Sequence, residues 1–143
     1  MRYSIIKVIV NDWPALASSI GIPIIWAIHL VFPYISTTQY HQPLWFPFLV
    51  TCGLIILITW RIQRIAWFFA NGESTSGNVV ILRIVKDRGR IEFTFHHKGN
   101  KITSWSPVHK TKTVLSLVPG TSIEVLYDKE EPRRAVIKEL YAP

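Results

Sequence analysis

The hydrophobic positions of this chain fall into two regimes that meet near Gly72. From Pro14 to Phe32 the chain reads PALASSIGIPIIWAIHLVF, nineteen residues without a formal charge. A helix of that length spans about 28 Å at 1.5 Å per residue, close to the thickness of a bilayer's hydrocarbon core. A second run, LWFPFLVTCGLIILITW from Leu44 to Trp60, can continue helically through Arg61 and Arg64 to Phe69. Neither run carries a polar face, so two transmembrane helices are predicted in preference to two buried core helices. A cleaved signal peptide fits less well. Ala15-Leu16-Ala17 resembles a cleavage motif but precedes the apolar run, and the run is longer than a usual signal core.

After Phe69 the spacing changes to a period of two. Asn71 to Gly77 reads as a polar linker, and Val79 to Val85 as a β-branched strand. Lys86-Asp87-Arg88-Gly89 predicts a turn with glycine available for positive φ. Ile91, Phe93 and Phe95 alternate with Glu92, Thr94 and His96, a half-buried strand. A turn at His97–Asn100 leads to a short strand from Ile102 to Trp105, and Val114–Val118 is a further possible strand. Pro119-Gly120 turns into Ser122–Tyr127, Asp128–Pro132 turns again, and Ala135-Val136-Ile137 begins the last strand. The expected fold is a two-helix transmembrane hairpin followed by a five- or six-stranded antiparallel barrel or sandwich. Its expected divisions are an N-terminal interfacial segment 1–12, the hairpin 13–70, a linker 71–77 and a β domain 78–143. A β domain this small gains from packing on a membrane or on a second copy, so an oligomer or a larger complex is expected.

Charge gives the hairpin a direction. The 143 residues are 49% hydrophobic and 17% charged with a net charge of +7, but residues 1–71 hold only Arg2, Lys7, Asp12, Arg61 and Arg64. The cations precede the first helix and follow the second, and Pro33–Pro43 contains neither Lys nor Arg. The positive-inside rule then predicts both termini in the cytoplasm, in a multi-pass protein of the inner or plasma membrane. Trp13, Trp45 and Trp60 fall near the helix ends as interface anchors, and Arg61 and Arg64 are expected to snorkel toward phosphates. Asp12 before Trp13-Pro14 looks like an N-cap with proline in the first turn, which separates an in-plane segment Arg2–Val10 from the first span. Gly21 and Pro23 mark a kink or a close helix approach. Cys52, the single cysteine, reads as a small packing residue, which excludes a disulfide scaffold.

The run Pro119 to Pro132 followed by Ala135-Val136-Ile137 resembles the ending of the domain-of-unknown-function 3592 family: a glycine, alternating valines, a Tyr-Asp-Pro-like turn, a proline and a small-apolar strand. Ser76-Gly77-Asn78-Val79-Val80 is similar to that family's opening strand and Glu92-Phe93-Thr94-Phe95 to its central aromatic one. The resemblance is best over 119–137, with Lys129 where proline is usual. It implies transmembrane helices joined to a small β domain and supplies no activity.

No catalytic constellation is legible. His96 and His97 are adjacent, so their side chains leave opposite faces of a strand, which disfavours a shared metal; His109 stands twelve residues on. Asp128, Glu130 and Glu131 cluster in one turn, but Lys129, Arg133 and Arg134 surround them, so local ion pairs are expected. There is no Gly-x-Ser-x-Gly setting and no phosphate-cradling glycine loop, so neither an enzyme nor a cofactor is expected. Arg83, Lys86, Arg88, Arg90, Lys98, Lys101, Lys110 and Lys112 form a basic stretch against only Asp87 and Glu92. Attraction to an anionic inner leaflet of the lipid bilayer is its expected role, ahead of a plain solvated surface or an acidic protein partner. Nucleic acid is disfavoured because Phe93 and Phe95 share a face with Ile91 as core, leaving Trp105 as the candidate exposed aromatic.

The function expected from these patterns is non-enzymatic: a membrane-anchored β domain that binds a protein partner, assembles as a homo-oligomer or serves as an accessory subunit. A transport or channel component is the alternative, provided His29, Ser18, Ser19, Thr51 and Thr59 share one face. A membrane immunity or stress protein fits the same architecture.

Overall fold

The computed structural model describes residues 2–35 and 43–143. The expected outer loop therefore lies largely outside the described residues. Helix α1 (Ile5–Asn11) is capped by Ser4, and Asp12 separates it from α2 (Trp13–Ile35). As its position before Trp13-Pro14 predicts, Asp12 caps α2, accepting from the Ala15 amide at 3.1 Å. Helix α3 (Trp45–Asn71) returns antiparallel to α2. Both helices are long and apolar enough to cross a membrane, and only 11% of either apolar window is buried, unlike a soluble core helix.

Two contacts hold the hairpin together along its length. At Gly21 a Cβ would stand 3.2 Å from a methyl of Leu54, so glycine permits the close approach its position predicted. Farther along, the Trp26 indole donates to the Thr51 hydroxyl at 3.0 Å, and that hydroxyl donates back to the Pro47 carbonyl at 2.8 Å.

The β domain is a five-stranded antiparallel sheet in the order β3-β2-β1-β4-β5, curled until it is nearly closed. Its strands are β1 (Glu73–Val85), β2 (Arg88–His97), β3 (Asn100–His109), β4 (Ser122–Tyr127) and β5 (Ala135–Ile137). Strand β1 serves both halves: Glu73–Asn78 pairs with β4, and Gly77–Val85 pairs with β2. A bulge at Val80, between the Val79 and Ile81 pairings, increases its twist where it changes partners.

Three local expectations are corrected here. Residues 71–77 do not form a linker, because Glu73 to Gly77 are the first five residues of β1. Their polar side chains hid a strand whose backbone is paired throughout, Glu73 opposite Tyr127 and Gly77 opposite Ile123. Residues Val114–Val118 are not a strand: Lys112–Ser116 form a short helix, α4, capped by Thr111, which accepts from the Val114 amide. In the first hairpin turn the positive φ falls on Lys86 (59°), not on Gly89. Gly89 is needed in β2 for room, since a Cβ there would meet the Arg83 carbonyl oxygen at 2.2 Å.

One core joins helices and sheet. Val8 of α1 and Ile65, Phe68 and Phe69 of α3 are buried with Phe93, Phe95, Val125, Ile137 and Leu140. Helix α3 runs for about 40 Å, some 10 Å more than a hydrocarbon core, and its surplus last turns are the part that enters this core. The N-terminal segment is tied to the C-terminal one, the Ser4 amide donating to the Tyr141 carbonyl at 2.9 Å, and to α3, where Tyr3 packs on Phe69 at 5.9 Å between ring centres.

Candidate functional site

The point where the hairpin meets the sheet holds a buried, densely bonded polar group. Asn11 and Asp12, both buried, occupy the break between α1 and α2. The Asn11 amide donates to the Leu140 carbonyl at 2.6 Å, and the Thr111 hydroxyl donates to its side-chain oxygen at 2.8 Å. Asp12 takes Arg61 in a two-pronged ion pair, Nε to Oδ1 at 3.1 Å and Nη2 to Oδ2. The Asp12 side chain is fully buried and that of Arg61 is 10% exposed. A fork-on-carboxylate geometry is the arrangement in which a buried pair can recover its desolvation. Arg61 is therefore not extended toward phosphates as expected but locks α3 against the start of α2.

Next to this lock the sheet stops short of closing. Strands β3 and β5 do not pair; they are bridged where the Ser104 hydroxyl donates to the Arg133 carbonyl at 2.8 Å. Two of the buried positions of β3 are serines, 104 and 106, where the positions opposite them in β2 hold Phe93 and Ile91. Small side chains at the seam leave a cleft of about 820 Å³ between β3, the Pro132–Val136 segment and the Arg61–Ile65 turn of α3. Five of its lining residues are cationic (Arg61, Arg64, Lys101, Arg133 and Arg134), and no carboxylate lines it among the described residues. Tyr141 closes its inner side, where burial, reinforced by the Asp12 charge, pushes the phenol well above its ordinary value of 10.0.

The cations are unequally neutralised. Arg61 belongs to Asp12, and Arg134 stands 3.7 Å from Asp128 and 3.6 Å from Glu131. Arg64, Lys101 and Arg133 form no ion pair among the described residues. The guanidinium of Arg64 lies 5.8 Å from the Trp60 ring centre and that of Arg134 lies 6.0 Å from the Trp67 ring centre. Both arginines also border a second, shallower hollow with Gln63, Asp128 and Glu130.

Of the proposed anchors, Trp45 and Trp60 are exposed at 61% and 51% on α3, about 22 Å apart along its axis. Trp13 instead stacks on His109 at 5.8 Å, tying α2 to the end of β3. The basic stretch does not form one surface. Arg83 lies opposite Arg90 in the register, and Lys86, Arg88 and Lys110 belong to the same end of the sheet, with the Lys110 amide donating to the Asp87 carbonyl. Arg90 pairs with Glu92 at 2.6 Å. Lys98 and Lys101 lie at the opposite end of the β2–β3 ladder, and Lys112 opens α4. Of the basic stretch, among the described residues, Lys101 alone lines the cleft, beside the exposed Trp105. In the sequence Arg133 is only a companion of the acidic turn; its place at the seam depends on a long-range closure that spacing does not reveal.

The remaining candidates resolve by position. His96 is exposed, whereas His97 meets the Tyr127 ring edge-on at 5.1 Å, the opposite-face disposition of adjacent strand residues. No group of three metal-ligating side chains occurs among the described residues. Phe93 and Phe95 are core, 0% and 1% exposed, and stack on each other. In the hairpin, Ser18 is buried, His29 is half-buried, Thr59 is exposed, the Ser19 hydroxyl donates to the Ala15 carbonyl and the Thr51 hydroxyl accepts from Trp26. Compared with protein-family models, with curated proteins and with solved structures, the chain matches none.

Proposed function

We propose that this chain is a non-enzymatic, two-span integral membrane protein whose β domain, held on the cytoplasmic side with both termini, acts as a partner-binding or accessory-subunit module. The resemblance of residues 119–137 to the domain-of-unknown-function 3592 family belongs to the same proposal. The observation that carries it is the shared core. With Ile65, Phe68 and Phe69 of α3 and Val8 of α1 inside the β domain, the domain cannot swing freely on its anchor. A binding surface built this way keeps a fixed height and orientation over the bilayer, which suits an accessory subunit docking on another membrane protein. Helix α1 supports the same geometry, burying Val8 while Ile5 and Ile6 stay exposed at 51% and 74%, an apolar face turned away from the protein.

A reporter active only in the cytoplasm, fused after Pro143, should be active, and a homologous fusion with a reporter active only outside should be silent. Purification from native membranes in mild detergent should bring down a stoichiometric protein partner or a defined homo-oligomer. A lone monomer at native expression would refute the module reading. The channel alternative gains no specific support from the hairpin, where Trp26 and Thr51 satisfy each other.

A further inference from the structure

The cleft at the open seam has a composition that the fold alone does not require. Five cationic residues around one hollow repel each other, and a single buried carboxylate, Asp12, neutralises one of them closely. A stable fold could close the seam with apolar side chains on β3; this chain has Ser104 and Ser106 there and leaves it open. Concave positive sites of a few hundred cubic ångströms are the kind that hold small anions with a polar body. Guanidinium groups match the paired oxygens of a phosphate better than a lysine surface does, and four of the five cations are arginines.

The position of the cleft narrows the ligand further. Arg61 and Arg64 lie about 24 and 29 Å along α3 from Trp45, the rise at which a helix crossing the bilayer reaches the headgroups. Trp60 and Trp67, both exposed, flank Arg64 on the same helix, as aromatic residues do at that depth. We infer that the cleft bounded by Arg64, Lys101, Arg133 and Arg134 binds the phosphate headgroup of an anionic membrane lipid, with its acyl chains passing along α3 into the bilayer. The inference rests on the membrane reading given above. It differs from a general attraction of basic residues to the leaflet, because it assigns the recognition to the seam and not to the Arg83–Arg90 end of the sheet.

The test offers the full chain, in a neutral detergent, equal amounts of phosphatidylglycerol and phosphatidylcholine with matched acyl chains, and counts bound lipids by native mass spectrometry. The wild type should prefer phosphatidylglycerol by about tenfold or more. Arg64→Gln/Arg133→Gln should bring the preference close to unity, and the single surface change Lys101→Gln should reduce it in a chain that melts like wild type. Arg83→Gln/Arg88→Gln should leave it intact. Equal binding of both lipids by the wild type, or an equal loss in the Arg83/Arg88 pair, overturns the inference. Binding of inorganic phosphate that needs the same arginines, without any lipid preference, also overturns it, assigning the cleft to a soluble phosphate. An alkaline wash of native membranes separates the two layers of the argument. Protein retained without lipid preference sinks the cleft alone, whereas protein released by the wash sinks the membrane reading beneath it.

Discussion

The ion pair between Asp12 and Arg61 gives the sharpest test of how the hairpin is fastened to the sheet. Removing one member of a buried pair leaves the other charge without water or partner and costs about 3–5 kcal/mol. Both side chains here are at or near full burial, so the upper part of that range applies to Arg61→Met. Asp12→Asn is informative because asparagine keeps an oxygen to accept from the Ala15 amide; it removes the charge and spares the helix cap, itself worth about 1 kcal/mol. Asp12→Asn should therefore cost about 3 kcal/mol, nearly all of it from stranding Arg61. The double variant Asp12→Asn/Arg61→Met strands nothing and should return to within about 1 kcal/mol of wild type, a coupling of roughly 6 kcal/mol.

The assay is denaturant unfolding of the four proteins in one mild detergent, followed by near-ultraviolet circular dichroism. Trp13, stacked on His109 beside the pair, and Trp60, beside Arg61, should report loss of the junction. A coupling below about 0.5 kcal/mol would refute the reasoning, since that is what an exposed pair screened by water gives. Such a result would return Arg61 to the role its sequence position suggested, a snorkelling arginine at a helix end.

Acid should weaken the β domain through two carboxylates. Hydrogen bonds from Lys129 and Tyr127 hold Glu73 below its ordinary value of 4.5, and those from Lys138 and Ser74 do the same for Glu124. Depressed folded values contribute stability that is present above about pH 4.5 and lost as the pH falls through them, so melting temperature should drop in that window and the drop should shrink in Glu73→Gln/Glu124→Gln. An unchanged profile in the double variant would refute this. Gly77→Ala places a Cβ 2.8 Å from both the Thr94 carbonyl oxygen and a Val125 methyl, and should cost about 1–3 kcal/mol in denaturant unfolding. Phe93→Ala, at the centre of the core, should cost about 3–5 kcal/mol, whereas Trp105→Ala, 59% exposed, should change stability by no more than about 0.5 kcal/mol.

What could be read from the chain depended on whether a side-chain period and a backbone role agreed. The helices were legible because α2 and α3 are apolar on every side. Strand β2 was legible because Ile91, Phe93 and Phe95 alternate with polar residues. The start of β1 was not: Glu73 to Ser76 offer no apolar position, and their strand state comes from pairing with Val125, Leu126 and Tyr127 about fifty residues later. Residues 114–118 failed for the opposite reason. Their apolar composition suggested a strand, but the Thr111 cap and burial of Val114 and Leu117, three residues apart, favour a helical turn. The cleft was invisible in the sequence because its walls come from three separated segments, and its openness depends on serines, which look like ordinary exposed strand residues until the sheet curls.

The cations of this chain do three different kinds of work, which the net charge of +7 conceals. Arg61 is structural, spent on Asp12 at the junction. Arg134, Lys129 and Lys138 are shared with Asp128, Glu73 and Glu124, ordering the turns and the C-terminal segment around β4 and β5. Arg64, Lys101 and Arg133 have no such partner among the described residues and lie around one hollow next to the longest helix. Charges of the first two kinds are already neutralised and add little to the field outside the molecule. Those of the third kind project into a cleft walled by protein, where a given charge acts over a longer range than on an open surface. Unpaired positive charge walled by protein therefore concentrates at the seam, although the Arg83–Lys112 stretch carries more positive charge in total.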